Sequence, residues 1–471
     1  MRILLTGATG YIGKRLLPAL VDMGHEVVCC VRDRKRFNPP ESIRNNVTVV
    51  EVDFLKEESL EQIPHTIDAA YYLMHSMSSS SDYEKLEEIS AKNFKKIIDQ
   101  TQAHHVVYLS GIVNNESLSK HLNSRKAVEE ILSEGNYKLT TLRSGIIIGS
   151  GSASFEIIRD LVEKLPIMIA PKWLQTKCQP IAVRDVISFL TKSLFNPITY
   201  NNNFDIGGPD ILSYKQMLLG YAKVRGLKRR IISVPIMTPK LSSYWLYFVT
   251  STSYKLATSL VNSMKVEVIC RDSQLSEALG IAPLPYEEAL KKTLLKIEEN
   301  EIVSSWKDSW ISGRMDQNIS EFINVPRHGC LIDIRENDIK DIKRTLNNIW
   351  RIGGNTGWYY ATSLWKIRGY IDKLVGGVGL RRGRTHPYEI NVGDAIDFWR
   401  VLYANKREGR LLLFAEMKLP GEAWLEFKIK NDILYQTATF RPKGLWGRLY
   451  WYILWPVHDR IFEGMIKRIT V

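Results

Sequence analysis

Short apolar segments alternate with helical patterns over the first 300 residues of the chain. Strands that are almost wholly apolar are buried on both faces, which is typical of a parallel sheet with helices on each side. The pattern therefore predicts an α/β domain with a doubly wound, Rossmann-type parallel sheet. The predicted strands are residues 2–6, 26–31, 47–52, 69–73, 105–110 and 138–148.

One predicted helix, residues 83–101, carries apolar side chains at helical spacing. Residues three and four positions apart share a helix face, so we expect this stripe to pack on the sheet. Its members are Leu86, Ile89, Phe94, Ile97 and Ile98.

The pattern changes towards the C-terminus. Residues 410–419, 423–430 and 433–440 alternate as antiparallel strands do, and predicted turns at Pro420-Gly421 and Asn431-Asp432 join them. Helical patterns at 336–350 and 363–374 precede these strands, and an apolar, aromatic segment at 444–469 closes the chain. We therefore predict a second, α+β domain in which a long helix crosses a curved sheet.

The distribution of tryptophan marks the boundary between the domains. All but two of the twelve tryptophans, Trp173 and Trp245, follow residue 300, and residues 296–320 are polar. We predict domains at 1–300 and 326–471, with a linker at 301–325.

The 64 basic and 51 acidic residues give a net charge of +13, which raises the possibility of a nucleic-acid or membrane partner. The basic excess is spread over both parts of the chain, and no long Lys/Arg tract occurs, so we expect no nucleic-acid partner. The five cysteines form no C-x-x-C pair, and the nine histidines show no ligand spacing, so we expect no metal site. With no targeting peptide or long uncharged apolar run, a reducing, cytoplasmic location is expected.

A glycine motif, G-x-x-G-x-x-G, joins the first strand to a helix. Gly7 permits a tight turn, Gly10 lets the backbone approach a pyrophosphate, and Gly13 lets the helix pack on the strand. The free N–H groups of the helix start favour an anion. The motif predicts a dinucleotide site, to which the intervening residues also contribute: Thr9, Tyr11 and Ile12.

Residues after the next three strands complete the predicted cofactor site. Arg32, which follows the second strand, favours NADP(H) because arginine accommodates a 2′-phosphate, whereas Asp33 keeps NAD(H) possible. After the third strand, Asp53 is placed to meet the adenine amino group. The remaining predicted contacts are Phe54 beside Asp53, and Leu73 and His75 near the nicotinamide ribose.

These motifs resemble the short-chain dehydrogenase/reductase superfamily in its extended or atypical, epimerase/dehydratase-like branch. The resemblance covers roughly residues 1–300 and implies an NAD(P)-binding oxidoreductase fold. It rests on the glycine motif and on the segments YLSG at 108–111, LRSG at 142–145, QPIAVRDV at 179–186 and FDIGGP at 204–209. More closely, the chain looks like bacterial proteins that join such a domain to a C-terminal domain of unassigned function.

The superfamily's Tyr-x-x-x-Lys pair is absent, and His121 and Arg125 occupy the corresponding positions. One interpretation makes His121 the acid/base, Arg125 a ligand of the cofactor ribose or a substrate anion, and Ser110 a hydrogen-bond donor to substrate. In the other, the domain binds cofactor without turnover. A loop at 149–154 also has two interpretations, an anion site or an ordinary serine helix cap.

Residues 329–471 resemble START-like, polyketide-cyclase-like helix-grip domains, with weaker motifs. The resemblance implies a cavity for an apolar ligand bordered by aromatic residues, although the rings could equally fill a core. Aromatic residues in the closing segment at 444–456, together with Arg448, suit either a buried helix or a peripheral membrane contact.

The sequence thus predicts an NADP(H)-binding oxidoreductase-like protein that acts on a hydrophobic small molecule. The alternative is a non-catalytic, cofactor-binding sensor or assembly protein, which the missing Tyr-x-x-x-Lys pair favours.

Overall fold

In a computed structural model the chain forms two units, Met1–Gly313 and Arg314–Val471. The division falls inside the predicted linker, which lies almost wholly outside the described residues. The structure describes residues 1–32, 34, 37, 39, 41–74, 83–112, 120–234, 264, 266–298, 325, 330–375, 377, 379, 389, 390, 392 and 394–471.

The first unit is built around a parallel sheet of seven strands, in the order β11-β6-β5-β4-β1-β2-β3. The strands of this sheet are β1 (Arg2–Leu5), β2 (Glu26–Val31), β3 (Val47–Glu51), β4 (Ala69–Tyr72), β5 (His105–Gly111), β6 (Lys138–Ser144) and β11 (Asn202–Ile206). Short pairs lie outside it: β7 (Ile147–Ile148) with β10 (Ile181–Ala182), β8 (Ile167–Pro171) with β13 (Arg230–Val234), and β9 (Lys177–Cys178) with β12 (Leu212–Ser213). The doubly wound parallel sheet is confirmed.

Helices connect these strands and form apolar clusters on both faces of the sheet. The described helices of this unit are α1 (Gly13–Asp22), α2 (Tyr83–Ile98), α3 (Lys120–Ser133), α4 (Ala153–Lys164), α5 (Val183–Ser193), α6 (Tyr214–Val224), α7 (Gln274–Ala278) and α8 (Tyr286–Glu298). Single 3-10 turns occur at Glu41–Asn46, Glu57–Gln62, Lys172–Gln175 and Pro197–Thr199.

Helix α2 has a buried face that differs from the predicted one. Phe94, Ile97 and Ile98 are buried as expected, but Ile89 is exposed and Glu87 is buried in its place. The side chain of Glu87 faces α3, where polar partners stabilise the carboxylate, so a charged residue lies on the inner face of the helix.

The second unit contains an antiparallel sheet in the order β14-β19-β18-β17-β16-β15. Its strands are β14 (Leu331–Asp338), β15 (Ala395–Ile396), β16 (Trp399–Asn405), β17 (Arg410–Ala415), β18 (Gly421–Lys430) and β19 (Ile433–Pro442). Its helices are α9 (Ile342–Ile349), α10 (Thr362–Leu374) and α11 (Gly444–Ile469), and α11 packs against β14 and β19. Asn431 and Asp432 both have positive φ, which is the geometry of a two-residue hairpin turn, so the predicted turn is confirmed.

Aromatic rings assigned from sequence to a possible cavity wall lie in the core of the second unit. The rings of Trp358 and Trp365 stack with centroids 5.0 Å apart, and Phe398 and Trp399 pack beside them in the same buried cluster. Trp358 Nε1 donates to Asp397 Oδ2 at 2.8 Å, so this indole is held by a buried carboxylate. These four rings therefore fill a core.

A buried histidine anchors the segment that leads into β11. The amide of Phe195 donates to Nδ1 of His105 at 3.0 Å, so Nε2 carries the proton and donates to Thr140 Oγ1 at 2.9 Å. That hydroxyl in turn donates to the Thr199 carbonyl at 2.8 Å. Burial, with the charge of His104 adding to it, lowers the pKa of His105 to about 4.

We expect acid to destabilise the first unit through His105. Unfolded histidine has a pKa of 6.5, so below that pH the unfolded chain binds a proton that the folded chain excludes until about pH 4. Stability should fall by about 2 kcal/mol between pH 7 and pH 5. Hydrogen-exchange protection of peptides that cover β5, corrected for intrinsic rates, measures this change.

The matched variants are His105→Asn and His104→Asn. Asparagine at 105 keeps an acceptor for Phe195 but cannot titrate, so most of the pH dependence should disappear. His104 is exposed, so His104→Asn should keep most of the pH dependence of stability. Equal pH dependence in the wild type and His105→Asn would contradict the assignment.

Candidate functional site

The carboxyl ends of β1 and β4 are joined by one hydroxyl. Buried Thr6, which follows β1, donates through Oγ1 to the Tyr71 carbonyl at 2.9 Å and accepts from the Leu73 amide at 3.1 Å. This contact holds the start of the glycine loop against the end of β4. Sequence analysis did not identify Thr6, although its position between the first strand and the glycine motif was visible.

The glycine loop requires close approach of backbone to backbone. Gly7 has φ +66°, and a Cβ there would lie 2.6 Å from the Leu73 carbonyl oxygen. A Cβ on Gly13, the first residue of α1, would lie 2.2 Å from the Gly7 oxygen. The Gly10 amide donates to that same oxygen at 2.8 Å. The loop therefore has the tight turn and close helix packing that a dinucleotide pyrophosphate site needs, and the residues present fit that group.

Tyr11 and Arg15 connect the glycine loop to the loop before α4. The guanidinium of Arg15 lies 4.1 Å from the centre of the Tyr11 ring, and its Nη2 donates to the Ser150 carbonyl at 2.7 Å. Burial raises the pKa of Tyr11 to about 12, so its phenol stays protonated. Of the other predicted loop contacts, Thr9 is exposed and Ile12 packs partly against the core.

The loop at 149–152 caps helix α4. Ser152 Oγ accepts from the Phe155 amide at 3.2 Å, which confirms the serine-cap interpretation. The Gly151 amide donates to a carboxylate oxygen of buried Glu156 at 3.2 Å, and Glu156 pairs with Arg159. Because Glu156 already places negative charge at this helix start, a second anion there is disfavoured.

The ends of β2 and β3 present Arg32 and Asp53 at the carboxyl edge of the sheet. Arg32 is exposed, and Asp53 is half-buried with Oδ1 accepting from the Leu55 amide at 3.2 Å. The Phe54 ring turns into the core and lies 5.9 Å from Phe94 between centroids. The side chain of Phe54 therefore contributes packing at this position. Asp33 and His75 lie outside the described residues.

The residues predicted for catalysis gather around β5 and α3. Ser110 is buried near the end of β5, and its hydroxyl lies close enough to Tyr108 to act on that phenol, although Ser110 Oγ makes no hydrogen bond of normal geometry within the described part of the chain. His121 lies in the first turn of α3, and its side chain is outside the described residues. Arg125 lies one turn further on and is buried, with Nη1 donating to the Tyr108 hydroxyl at 3.3 Å.

Two groups that sequence analysis missed define the surroundings of Arg125. Glu87 on α2 is buried, accepts a hydrogen bond from Ser124 and acts electrostatically on Arg125. Burial raises the pKa of Tyr108, while the nearby Arg125 opposes the shift, so the phenol stays protonated at neutral pH. Glu87 could have been found from sequence, because it lies two helical turns before Phe94 on the same face of α2.

The Nε atom of Arg125 is also buried and makes no hydrogen bond among the described residues. Buried polar atoms without partners are rare, and each costs about 1–3 kcal/mol. Ser110 Oγ and Arg125 Nε are therefore two polar atoms without a hydrogen bond of normal geometry, and the side chains of both residues act on Tyr108. Within the described ranges, no group of three or more His, Cys, Asp or Glu could hold a metal ion.

Two family models match the chain. Residues 7–158 match a family described as NAD(P)H-binding. Residues 327–465 match a family described as a protein of unknown function (DUF2867). The first match covers the glycine loop and the Ser110–Arg125 region, whereas the second covers most of the predicted second domain.

Relatives at low identity match parts of the chain. It is 23% identical over 258 residues to the chloroplastic divinyl chlorophyllide a 8-vinyl-reductase of Arabidopsis thaliana, which covers 50% of this chain and 60% of that protein. It is 24% identical over 258 residues to the photosystem II assembly factor Ycf39 of Trieres chinensis, which covers 52% of this chain and 75% of that protein.

A solved structure shows the same fold. The NADPH-dependent quinone oxidoreductase of Escherichia coli, complexed with NADPH, aligns with a TM-score of 0.50 at 15% identity, over 62% of this chain and 99% of that one. Together with the family match, this confirms the Rossmann, NAD(P)-binding part of the predicted resemblance. The first unit has a Rossmann fold of the NAD(P)H-binding type.

We expect Gly7→Ala to weaken NADPH binding at least tenfold. Alanine is strained at positive φ by about 1–2 kcal/mol, and its Cβ would also meet the Leu73 carbonyl. Gly24→Ala is the matched control, because Gly24 also has positive φ but nothing lies within 4 Å of its Cβ position. Titration of NADPH fluorescence measures the Kd of both variants. Equal weakening by the two variants would show that strain alone, and not the loop geometry, determines affinity.

Proposed function

We propose that the protein is an NADP(H)-dependent reductase of a hydrophobic small molecule. The observation that carries this proposal is the pair of buried, unsatisfied polar atoms, Ser110 Oγ and Arg125 Nε. Polar groups of this kind in a binding site are satisfied when a ligand arrives. They lie on β5 and α3, and β5 neighbours β4, whose end contacts the glycine loop.

Each part of the cofactor has residues that suit it. The glycine loop and the start of α1 suit the pyrophosphate, and Asp53 is available to the adenine amino group. Arg32 is exposed where a 2′-phosphate would arrive, which favours NADP(H). Leu73 and His75 follow β4, where the nicotinamide ribose is expected. When bound, the reduced nicotinamide supplies a hydride.

The chain's own residues supply binding and proton transfer. Ser110 donates a hydrogen bond to a substrate oxygen, and His121, because histidine is a common general acid, provides the proton. Tyr108 is a poor replacement for the missing superfamily tyrosine, because burial raises the pKa of its phenol and so makes it a weaker acid, and Arg125 already binds its oxygen. A conjugated acceptor spreads the charge that hydride addition creates, so it needs less acid catalysis than an isolated carbonyl.

The second domain supports a hydrophobic substrate. We propose a START-like, helix-grip architecture for it, because a six-stranded antiparallel sheet packs against the long C-terminal helix α11. Domains of that architecture can hold apolar ligands, although in this chain the rings of Trp358, Trp365, Phe398 and Trp399 fill the core. Cys29, Cys30, Cys178 and Cys270 form no disulfide, which fits a reducing compartment such as the cytoplasm.

A non-catalytic function is the second candidate, and one observation favours it. In the superfamily the lysine stands beside a catalytic tyrosine, whereas here Arg125 is buried between Tyr108 and the carboxylate of Glu87. A buried cation with a structural partner is less available to a substrate. One of the relatives at low identity is named as an assembly factor, which agrees with this alternative.

We expect Arg32→Ala to raise the Kd for NADPH about tenfold or more and to leave the Kd for NADH nearly unchanged. A hydrogen bond to a charged group contributes about 1.5–3 kcal/mol, and only NADPH carries the 2′-phosphate. Lys138→Ala is the control, because Lys138 is an exposed cation at the opposite, amino edge of the sheet. Equal losses for both cofactors would contradict this role of Arg32.

We expect the protein to oxidise NADPH when a quinone acceptor is added under anaerobic conditions. Ser110→Ala and His121→Ala should each lower kcat by about 10²-fold without changing the Kd for NADPH. Lys126→Ala is the control, since this residue lies on the same helix with an exposed side chain. The reaction is measured as the loss of NADPH fluorescence over time.

The alternative function gives a different result in the same experiment. NADPH that binds tightly but stays reduced with quinones and with fractions of a cell extract would favour the sensor or assembly protein. Absence of NADPH binding would contradict both candidates.

A further inference from the structure

The first half of helix α11 exposes large apolar side chains. Trp446 is 76% exposed, and Tyr452 and Ile453 are each 64% exposed. Leu449 and Val457 are exposed on the same stretch, and the spacing 446, 449, 453, 457 places one row along one face. The second half of the helix differs, because its buried residues pack into the core and its outward residues are charged. A row of this size is unusual on a surface exposed only to water.

Helix α10 carries a second exposed apolar row. Leu364, Ile367, Ile371 and Leu374 are all exposed, at the spacing of one helix face. The opposite face, which includes Trp365, is buried in the core. The outward face of helix α10 is therefore apolar, as is the Trp365 side chain on its inward face.

The two rows lie at the same end of the second unit. Trp365 contacts Phe462 with ring centroids 6.4 Å apart, and the charge of Arg368 acts on His458 further along the helix pair. Residue numbers rise along α10 while they fall along α11, so the helices run antiparallel. The second half of α10 is therefore on the side of the first half of α11.

A hairpin loop between β17 and β18 contacts both helices at this end. The Lys418 amide donates to Asp372 Oδ1 at 2.7 Å, and Lys418 Nζ donates to the Val375 carbonyl at 2.8 Å. Two residues later, the Pro420 carbonyl accepts from the amide of Lys443, which caps α11. The end of α10 and the start of α11 thus flank one loop, and we call their two exposed rows together the two-helix face.

Charge on the two-helix face has one sign. Residues 446–457 contain Arg448 and no acidic residue, and α10 contains exposed Lys366. The one acid of α10, Asp372, is fully buried and accepts from the amides of Lys418 and Gly379. Exposed aromatic and aliphatic side chains among cations are typical of helices that lie in the headgroup region of an anionic bilayer.

Acidic residues begin only in the second half of α11, where Arg335 on β14 binds them. Its Nη2 donates to Asp459 at 2.8 Å, and its Nη1 donates to Glu463 at 3.0 Å. These carboxylates are therefore directed to the sheet. In the part of the chain that the structure describes, no helix is both long and apolar enough to cross a membrane.

We propose that the two-helix face binds the surface of an anionic lipid bilayer, with α10 and α11 lying in the headgroup boundary. Charge favours this partner over a second copy of the chain, because a symmetric dimer through this face would place Arg448 and Lys366 of both copies in one interface without an acidic residue in either row to pair with them. The proposal is independent of whether the first unit is catalytic.

Flotation of the full chain with vesicles tests the proposal. The protein should bind vesicles of phosphatidylcholine with about 30% phosphatidylglycerol at least tenfold more tightly than phosphatidylcholine alone, and salt should weaken the binding. The double variant Ile371→Glu with Ile453→Glu, which changes one residue in each row, should bind at least tenfold more weakly. Arg448→Glu should weaken binding to the anionic vesicles several-fold.

Ile198→Glu is the control, because Ile198 is an isolated isoleucine of the first unit that is 61% exposed. It should float like the wild type, and all variants should keep their circular dichroism and NADPH affinity. Brominated lipid should quench the wild type more than Trp446→Phe, which locates Trp446 in the bilayer.

Four results would overturn the proposal. One is flotation of the double variant like the wild type, and another is equal binding to neutral and anionic vesicles. The third is a wild type that fails to float but forms a dimer that the double variant disrupts, which would assign the face to a second copy. Absence of both flotation and dimerisation would likewise exclude a lipid surface.

Discussion

The first unit depends on how closely three pieces of backbone approach one another at the carboxyl edge of its sheet. The Leu73 carbonyl, the turn at Gly7 and the start of α1 at Gly13 lie so close that no side chain fits between them. The Thr6 hydroxyl holds this arrangement by bonding to both neighbours of Tyr72 on β4. The start of α1 therefore lies beside the end of β1 with room for a pyrophosphate. Arg32 and Asp53 lie at the same edge of the sheet, because they follow the neighbouring parallel strands β2 and β3.

A different constraint governs the region beyond β5. Where related enzymes have a tyrosine and a lysine, this chain has buried an arginine with a carboxylate and a phenol. A buried charge needs such partners, so Glu87, Tyr108 and Arg125 depend on one another. The cluster stabilises the contact between α2 and α3, and it leaves Arg125 Nε and Ser110 Oγ unsatisfied. Tyr108 and Glu87 therefore occupy the arginine that one interpretation of the sequence assigned to the cofactor ribose or to a substrate anion.

The sequence predicted features that local patterns determine. Apolar strands, glycine spacing and the Asn431–Asp432 turn each depend on a few neighbouring residues, and all are found.

Features that depend on distant partners were missed or wrongly placed. Ile89 fits the helical stripe, but Ser124 and Arg125 stabilise Glu87 on the inner face instead. Similarly, Phe54 follows a strand end, yet its contact with Phe94 turns the ring inward. Whether the aromatic rings of the second unit bordered a cavity or filled a core depended on how they packed, which no local pattern contains.

The contact of Arg15 with Ser150 connects the glycine loop to the loop that caps α4. One side chain of α1 stacks on Tyr11 in the glycine loop and also holds the loop that begins α4. A movement of the first turn of α1 towards a bound dinucleotide would therefore also displace the 149–152 loop, because Arg15 binds the Ser150 carbonyl. Ordering of the glycine loop then changes the free energy of ordering the 149–152 loop, so a dinucleotide bound at the glycine loop would also stabilise the start of α4.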